Sequence, residues 1–214
     1  MTTRTAWRHI RRTAAPGALL AAALLAGCAG SGLDLARMAP PDPHPGAFQV
    51  CHGYGCRLRT QAVLDGDQWA RVRALFADPA ADAATERARI ARAVGLIEGF
   101  VAPQAGTGDD KPEAAFLSFA PGQMDCIDEA VNSSTYIALL ERDGLLRRHV
   151  LDLPVRRGYL VDGAWPHNSA VVREIDTGRA YAVDSYFRPN GGPAWIVPVE
   201  TWRAGWRPED GAPS

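Results

Sequence analysis

The run Gln123-Met124-Asp125-Cys126-Ile127-Asp128-Glu129-Ala130 constrains this chain more than any other, because it dictates where a helix begins. Asp125 is a good N-cap, its carboxylate suited to the unpaired N–H groups of a first turn, and Asp128 stands at N3. From Ile127 to Arg142 the residues suit a helix, with Ala130, Val131, Ile137, Ala138, Leu139 and Leu140 as apolar members. Gly144 supplies a stop, with Arg142 near the negative end of the dipole. Cys126 therefore falls in the first turn, where free N–H groups favour an anion and place donors for an oxyanion. Asp125 and Asp128 oppose this with negative charge, so a nearby imidazolium is needed to offset them.

The chain holds four cysteines, and the other three have separate uses. Arg4, Arg8, Arg11 and Arg12 form a positive n-region with no acidic residue before Asp34. The apolar stretch Ala18 to Leu25 is too short to span a bilayer and reads as the core of an export signal. It ends in Leu25-Ala26-Gly27-Cys28, which resembles the bacterial lipobox. That resemblance implies cleavage after residue 27, acylation of Cys28 and a palmitate-type membrane anchor. Ala29 carries no inner-membrane retention signal, so the outer membrane facing the periplasm is the expected address. Ordinary secretion, with Cys28 idle, is the bland alternative. Removing residues 1–27 takes four of the 23 basic residues and none of the 24 acidic ones. The mature chain is then net acidic, with no basic patch for nucleic acid.

Residues 28–47 are rich in proline and glycine, as in Met38-Ala39-Pro40-Pro41-Asp42-Pro43-His44-Pro45-Gly46, and read as an extended tether with a solvated His44. The domain proper is expected over 48–214. It opens with Cys51-His52-Gly53-Tyr54-Gly55-Cys56, where two nearby cysteines and intervening glycines can close a small disulfide ring in an oxidising compartment. A metal centre lacks a fourth ligand, and haem attachment requires Cys-x-x-Cys-His. The ring leaves Cys126 as the one free thiol, with no metal and no cofactor implied.

Two helices are expected before the Cys126 helix. Asp67 caps a first one carrying Trp69, Val72 and Phe76. A second, over about residues 80 to 101, puts Ile90, Val94, Ile97 and Val101 on one stripe with Arg87, Arg89 and Arg92 mostly off it. Residues 103–114 read as a loop. Of the five histidines, His9 falls in the signal, His44 in the tether and His52 in the ring. His149 reads as a solvent-facing strand residue ahead of Val150-Leu151-Asp152-Leu153. His167 leads a strand, Trp165 to Arg173, that returns through a hairpin as Arg179 to Phe187, where Asp184 interrupts an apolar run. If residues 174–177 form the loop, His167 faces Asp184 directly. If Gly178 forms a left-handed bulge and Ile175 pairs with Arg179, His167 lies opposite Phe187. Trp195 to Trp202 reads as a last strand and closing segment, and Trp165, Trp195, Trp202 and Trp206 gather near the site.

Asp125-Cys126-x-Asp128-x-Ala130 on a helix, with His167 on one strand and Asp184 on the next, resembles the transglutaminase-like cysteine hydrolases. The bacterial transglutaminase-like cysteine proteinases, with a motif near Asp-Cys-x-Asp-Tyr-Ala, are among them. The resemblance covers roughly residues 115 to 200. Glu129 departs from it by replacing an aromatic, and Asn168-Ser169 by replacing a small apolar residue. It implies an α+β fold with a papain-like or transglutaminase-like core, in which the nucleophile helix packs on an antiparallel sheet. It also implies Cys126 as nucleophile, His167 as base and acid, Asp184 as its orienter, Gln123 as an oxyanion donor beside the Cys126 N–H, and Asp128 as a buttress. The substrate would be a protein or peptide amide, hydrolysed or passed to an amine through a thioester. One rival is an NlpC/P60-type peptidoglycan peptidase, which usually continues Ser-Gly after the cysteine where this chain has Ile127-Asp128. The other is an idle envelope lipoprotein that keeps the fold for binding or assembly. Neither the substrate nor the oligomeric state can be read from these residues.

Overall fold

Capping chemistry sets the helix boundaries. The computed structural model describes residues 32–113, 122–158 and 166–211; the signal peptide, Cys28 and Trp165 lie outside them. Five α-helices and six strands follow one another as α1 (Gly32–Met38), β1 (Phe48–His52), β2 (Leu58–Ala62), α2 (Gly66–Ala74), α3 (Ala83–Ala105), α4 (Cys126–Arg142), β3 (His149–Arg157), β4 (His167–Glu174), β5 (Ala180–Asp184), β6 (Trp195–Pro198) and α5 (Val199–Arg203). The architecture is mixed α+β, with a β1-β2 hairpin and a four-stranded antiparallel sheet in the order β3-β4-β5-β6. No helix among the described residues is long and apolar enough to cross a membrane.

Helix α4 begins at Cys126 under an Asp125 cap, with Asp128 closing a capping box back to the Asp125 N–H, as the sequence requires. Three other boundaries differ from expectation. The cap of α2 is Asp65 rather than Asp67, because Gln68 at N3 returns the bond and completes a capping box there. Helix α3 runs past 101 to Ala105, taking in Pro103, and stops only where Gly106 adopts φ 70°. Part of the expected tether is a helix, α1, whose Leu35 is buried against Cys51, Cys56 and Val131. Burying that leucine offsets the ordering of the chain around it.

Period-2 alternation divides the sheet between two cores. Ala170, Val172, Tyr181 and Val183 face α3 and α4, where they meet Ile90, Val94, Ile97, Val101, Ile137 and Leu140. Val171, Ala182 and Val197 face the other way, against Phe187, Trp202 and Trp206. Pro154 and a register shift between Asp152 and Val155 fall on β3, an edge strand where a missing N–H is tolerated. The expected last strand ends at Pro198 and the closing segment is helical from Val199, so Trp202 swings beneath the sheet instead of extending it.

The hairpin between β4 and β5 follows neither expected register. Glu174 N donates to Arg179 O and Gly178 N to Glu174 O, each at 2.9 Å, with Gly178 left-handed at the end of a loop spanning 175–178. Arg173 therefore pairs with Ala180, and the ladder continues to Ala170 with Val183. Extended three pairs further, this register sets Tyr186 opposite His167 and leaves Asp184 as its diagonal neighbour on the same face.

Close backbone approach fixes the segment after β5. Ala194 N donates to Ala91 O at 3.2 Å and Asn190 N to Asp110 O at 3.3 Å. Helix α3 passes so near this turn that a Cβ on Gly95 would stand 2.4 Å from Gly192 O. At the far end of the sheet, Glu86 on α3 accepts from Arg147 N, Arg148 N and His149 Nδ1. His149 is accordingly 1% exposed, not solvent-facing. Burial pulls the Glu86 pKa upward, but these donors and His149 hold it below the ordinary value.

Candidate active site

Three elements bring Cys126, His167 and Asp184 together: the start of α4, the start of β4 and the end of β5. Asp184 accepts from His167 Nε2 at 2.7 Å and from Trp202 Nε1 at 2.7 Å, both on one oxygen. That bond commits Nε2 and leaves Nδ1 for Cys126. The imidazole is 6% exposed and lies among Tyr186, Phe187 and Trp202, with ring centroids 4.9, 5.2 and 5.4 Å away. Burial alone would lower its pKa. The Asp184 charge and hydrogen bond, with a hydrogen bond and charge from Cys126, outweigh burial and raise it to about 9. His167 is thus an imidazolium at neutral pH, the positive group that the acidic helix start requires.

Among the described residues Cys126 is the free thiol, and it is only half-buried. Its sulfur accepts from Asn168 Nδ2 at 3.4 Å and lies 4.0 Å from Pro166 O. Because Cys126 is the first helical residue, its N–H precedes the i→i−4 ladder. The expected negative charges are already engaged. Asp125 accepts from Ile127 N, Asp128 N and Gly55 N. Asp128 accepts from Tyr54 N at 2.8 Å, Cys56 N at 2.6 Å and Asp125 N at 3.2 Å. Burial, then the Asp125 charge, push the Asp128 carboxyl up to about 7 against those bonds. The Cys51–Cys56 disulfide forms, and it closes the ring whose N–H groups do this work. Gly53, Tyr54, Gly55 and Cys56 all have positive φ (78°, 67°, 70° and 56°), a run of left-handed backbone that turns successive N–H groups toward one place.

Gln123 is placed differently from the other expected residues. Its amide donates to Asp109 O at 2.8 Å and accepts from Lys111 N at 3.1 Å, so it ties the 109–111 loop to the helix start. Four features escaped the sequence. Asn168 reaches the sulfur, and its only sequence signal was being polar where an apolar residue was expected. Trp202 both stacks on His167 and bonds Asp184. Arg157 lies over Trp202 at 4.5 Å and donates to the Trp202 and Trp206 carbonyls, clamping the wall behind the imidazole.

The fourth is a buried trio of carboxyls, Glu98, Asp110 and Glu129, gathered beside α4. Ser185 Oγ donates to Glu129 and shares a 3.1 Å contact with Ser133 Oγ, while Gly191 N bonds Glu98 and Met124 N bonds Asp110. Burial pushes Glu98 and Asp110 up to about 7, and burial followed by the charges of Glu98 and Asp110 pushes Glu129 well up. Among the described residues, no group of three or more His, Cys, Asp or Glu is arranged to hold a metal ion.

Comparison with protein-family models, with curated proteins and with solved structures finds no match to this chain.

Proposed function

We propose that Cys126, His167 and Asp184 form a transglutaminase-like thiol catalytic site acting on the acyl carbon of a protein or peptide amide. The observation that carries this reading is His167 held between Asp184 and Cys126, with its pKa raised to about 9 by that pair against the effect of burial. The Cys126 sulfur supplies an electron pair to the carbonyl carbon, and the carbonyl π pair moves to oxygen beside the Cys126 N–H. Collapse breaks the C–N bond, and the amine departs with the proton from His167 Nδ1. A water, or a second amine, then attacks the thioester and gives its proton to His167, and the C–S bond breaks with its pair returning to the Cys126 thiolate. Asp184 keeps the ring in one orientation throughout. A half-buried sulfur reached by polar side chains also argues against an idle cysteine packed as a small apolar residue.

The lipobox resemblance supports placing this site in the cell envelope, anchored through acylated Cys28 and facing the periplasm. Mass spectrometry of the mature N-terminus tests the anchor, which requires a lipid on Cys28. Alkylation by iodoacetamide at neutral pH tests the site. Cys126 should react well above the rate of a model thiol, and a folded-state rate no faster than that sinks the reading. Profiling envelope proteins with wild type beside Cys126→Ala then identifies the amide.

A further inference from the structure

We infer that Asn168 is a catalytic residue of this site, its side-chain N–H holding the Cys126 thiolate and then the oxyanion that forms from it. The inference rests on the thiol-nucleophile reading above.

Strand alternation is the first argument. Ala170 and Val172 point toward α4, whereas Val171 points toward Trp202. Asn168 shares parity with the first pair and His167 with Val171. The two neighbours therefore approach the sulfur from opposite faces of the sheet, at the one place where β4 meets the start of α4. His167 comes from the Trp202 side and Asn168 from the helix side.

Desolvation is the second. Asn168 is 7% exposed, on the side of the sheet that faces α4, where an amide costs free energy unless it is bonded. The bond it makes is to Cys126 Sγ. A neutral thiol is a weak acceptor, so the amide N–H is well matched only when the sulfur carries charge.

Reach is the third. The oxyanion of a tetrahedral adduct stands two bonds from the sulfur. A donor already 3.4 Å from that sulfur needs only a side-chain torsion to come within about 2.7–3.1 Å of the oxyanion. The Nδ2 group carries two hydrogens, so it can follow the charge as the sulfur pair becomes the C–S bond and the carbonyl π pair moves to oxygen. Gln123 is held to other work, its amide bonded to Asp109 O and Lys111 N.

The test uses the mature chain, with Asn168→Leu, which keeps size without donors, and Asn168→Ala as a second variant. Thermal melts establish that each is folded. Carboxamidomethylation of Cys126 is followed against pH, and nitrophenolate release from p-nitrophenyl acetate is followed at a pH above each variant's alkylation midpoint. Alkylation at neutral pH should slow about ten- to a hundredfold, the equivalent of one hydrogen bond to a charged group. Acylation should fall about a hundredfold even where the thiolate is fully formed. Folded variants that keep both rates within twofold of wild type overturn the assignment. So does a change in only one of the two, because the hand-over requires both. A wild type no more reactive than a model thiol defeats the thiol reading itself, and this inference with it.

Discussion

His167 is pulled two ways: its burial removes water from a cation, while Asp184 and Cys126 require that cation to exist. The carboxylate prevails because it sits 2.7 Å away, in surroundings that shield it poorly. NMR titration of the His167 ring should therefore show a pKa near 9. Asp184→Asn should move it down toward the ordinary imidazole value of 6.5, since only the Cys126 interaction then opposes burial. A wild-type midpoint at 6.5 would contradict the geometry. Amide turnover should decline as pH rises through the His167 midpoint, because the leaving amine loses its proton donor. Trp202→Phe keeps a ring against the imidazole but removes one N–H from Asp184. It should lower kcat about tenfold, the equivalent of one ordinary hydrogen bond, and lower the melting temperature as well, because Trp202 is fully buried and the smaller ring leaves a cavity. The residue types at 126, 167 and 184 were legible in the sequence because each broke a local pattern. Trp202 was not, since a tryptophan among apolar neighbours looks like any core residue until the chain turns it under the sheet.

Elements impose their own constraints. The first turn of α4 was readable because capping is local: Asp125 and Asp128 lie within four residues of the N–H groups they serve. What offsets their charge was not readable, because the ring that does so is more than 65 residues upstream. Cys51→Ser with Cys56→Ser should cost about 2 kcal/mol for so short a loop. It should also slow Cys126 alkylation at neutral pH, as Asp125 and Asp128 lose the Gly55, Tyr54 and Cys56 donors. Urea unfolding and alkylation kinetics on the same double variant measure both, and an unchanged alkylation rate would show that the ring is only a staple. The contact between α3 and the 191–192 turn makes a second demand. Gly95→Ala puts a methyl into the Gly192 carbonyl, and displacing that backbone should cost about 1–3 kcal/mol, read as a lower urea midpoint. The hairpin register also belongs at this level. It depends on which residue of the turn takes the left-handed conformation relative to the last paired residue, and one position either way shifts every cross-strand neighbour.

At the scale of the whole molecule, the buried ionisable groups give stability a direction in pH. Glu98, Asp110 and Asp128 have folded-state values raised to about 7 from 4.5, 3.8 and 3.8. Each contributes fully below its unfolded value and loses that contribution as pH rises through about 7. His167, raised from 6.5 to about 9, contributes fully below 6.5 and loses its contribution as pH rises through 9. Glu86, held below 4.5, acts the other way and weakens the fold in acid. The melting temperature should therefore peak at about pH 4 and fall toward pH 9. Glu98→Gln should flatten the segment between about pH 4.5 and 7, where the carboxyl-proton linkage acts. A profile that rises between pH 5 and 9 would contradict the buried carboxyls. The sequence by itself determined the Asp125 cap that starts α4, the α3 stripe, the Cys51–Cys56 ring and the three residues proposed for the chemistry. These follow from local hydrogen-bond needs, helical spacing and residues that break their surroundings. Only the tertiary structure decided which N–H groups quench the acidic helix start, how His167 reaches Asp184 on the diagonal, and that Asn168 faces the sulfur. Those relations join positions far apart in the chain, and their energies depend on burial and on angstrom-scale distance, which no local pattern encodes.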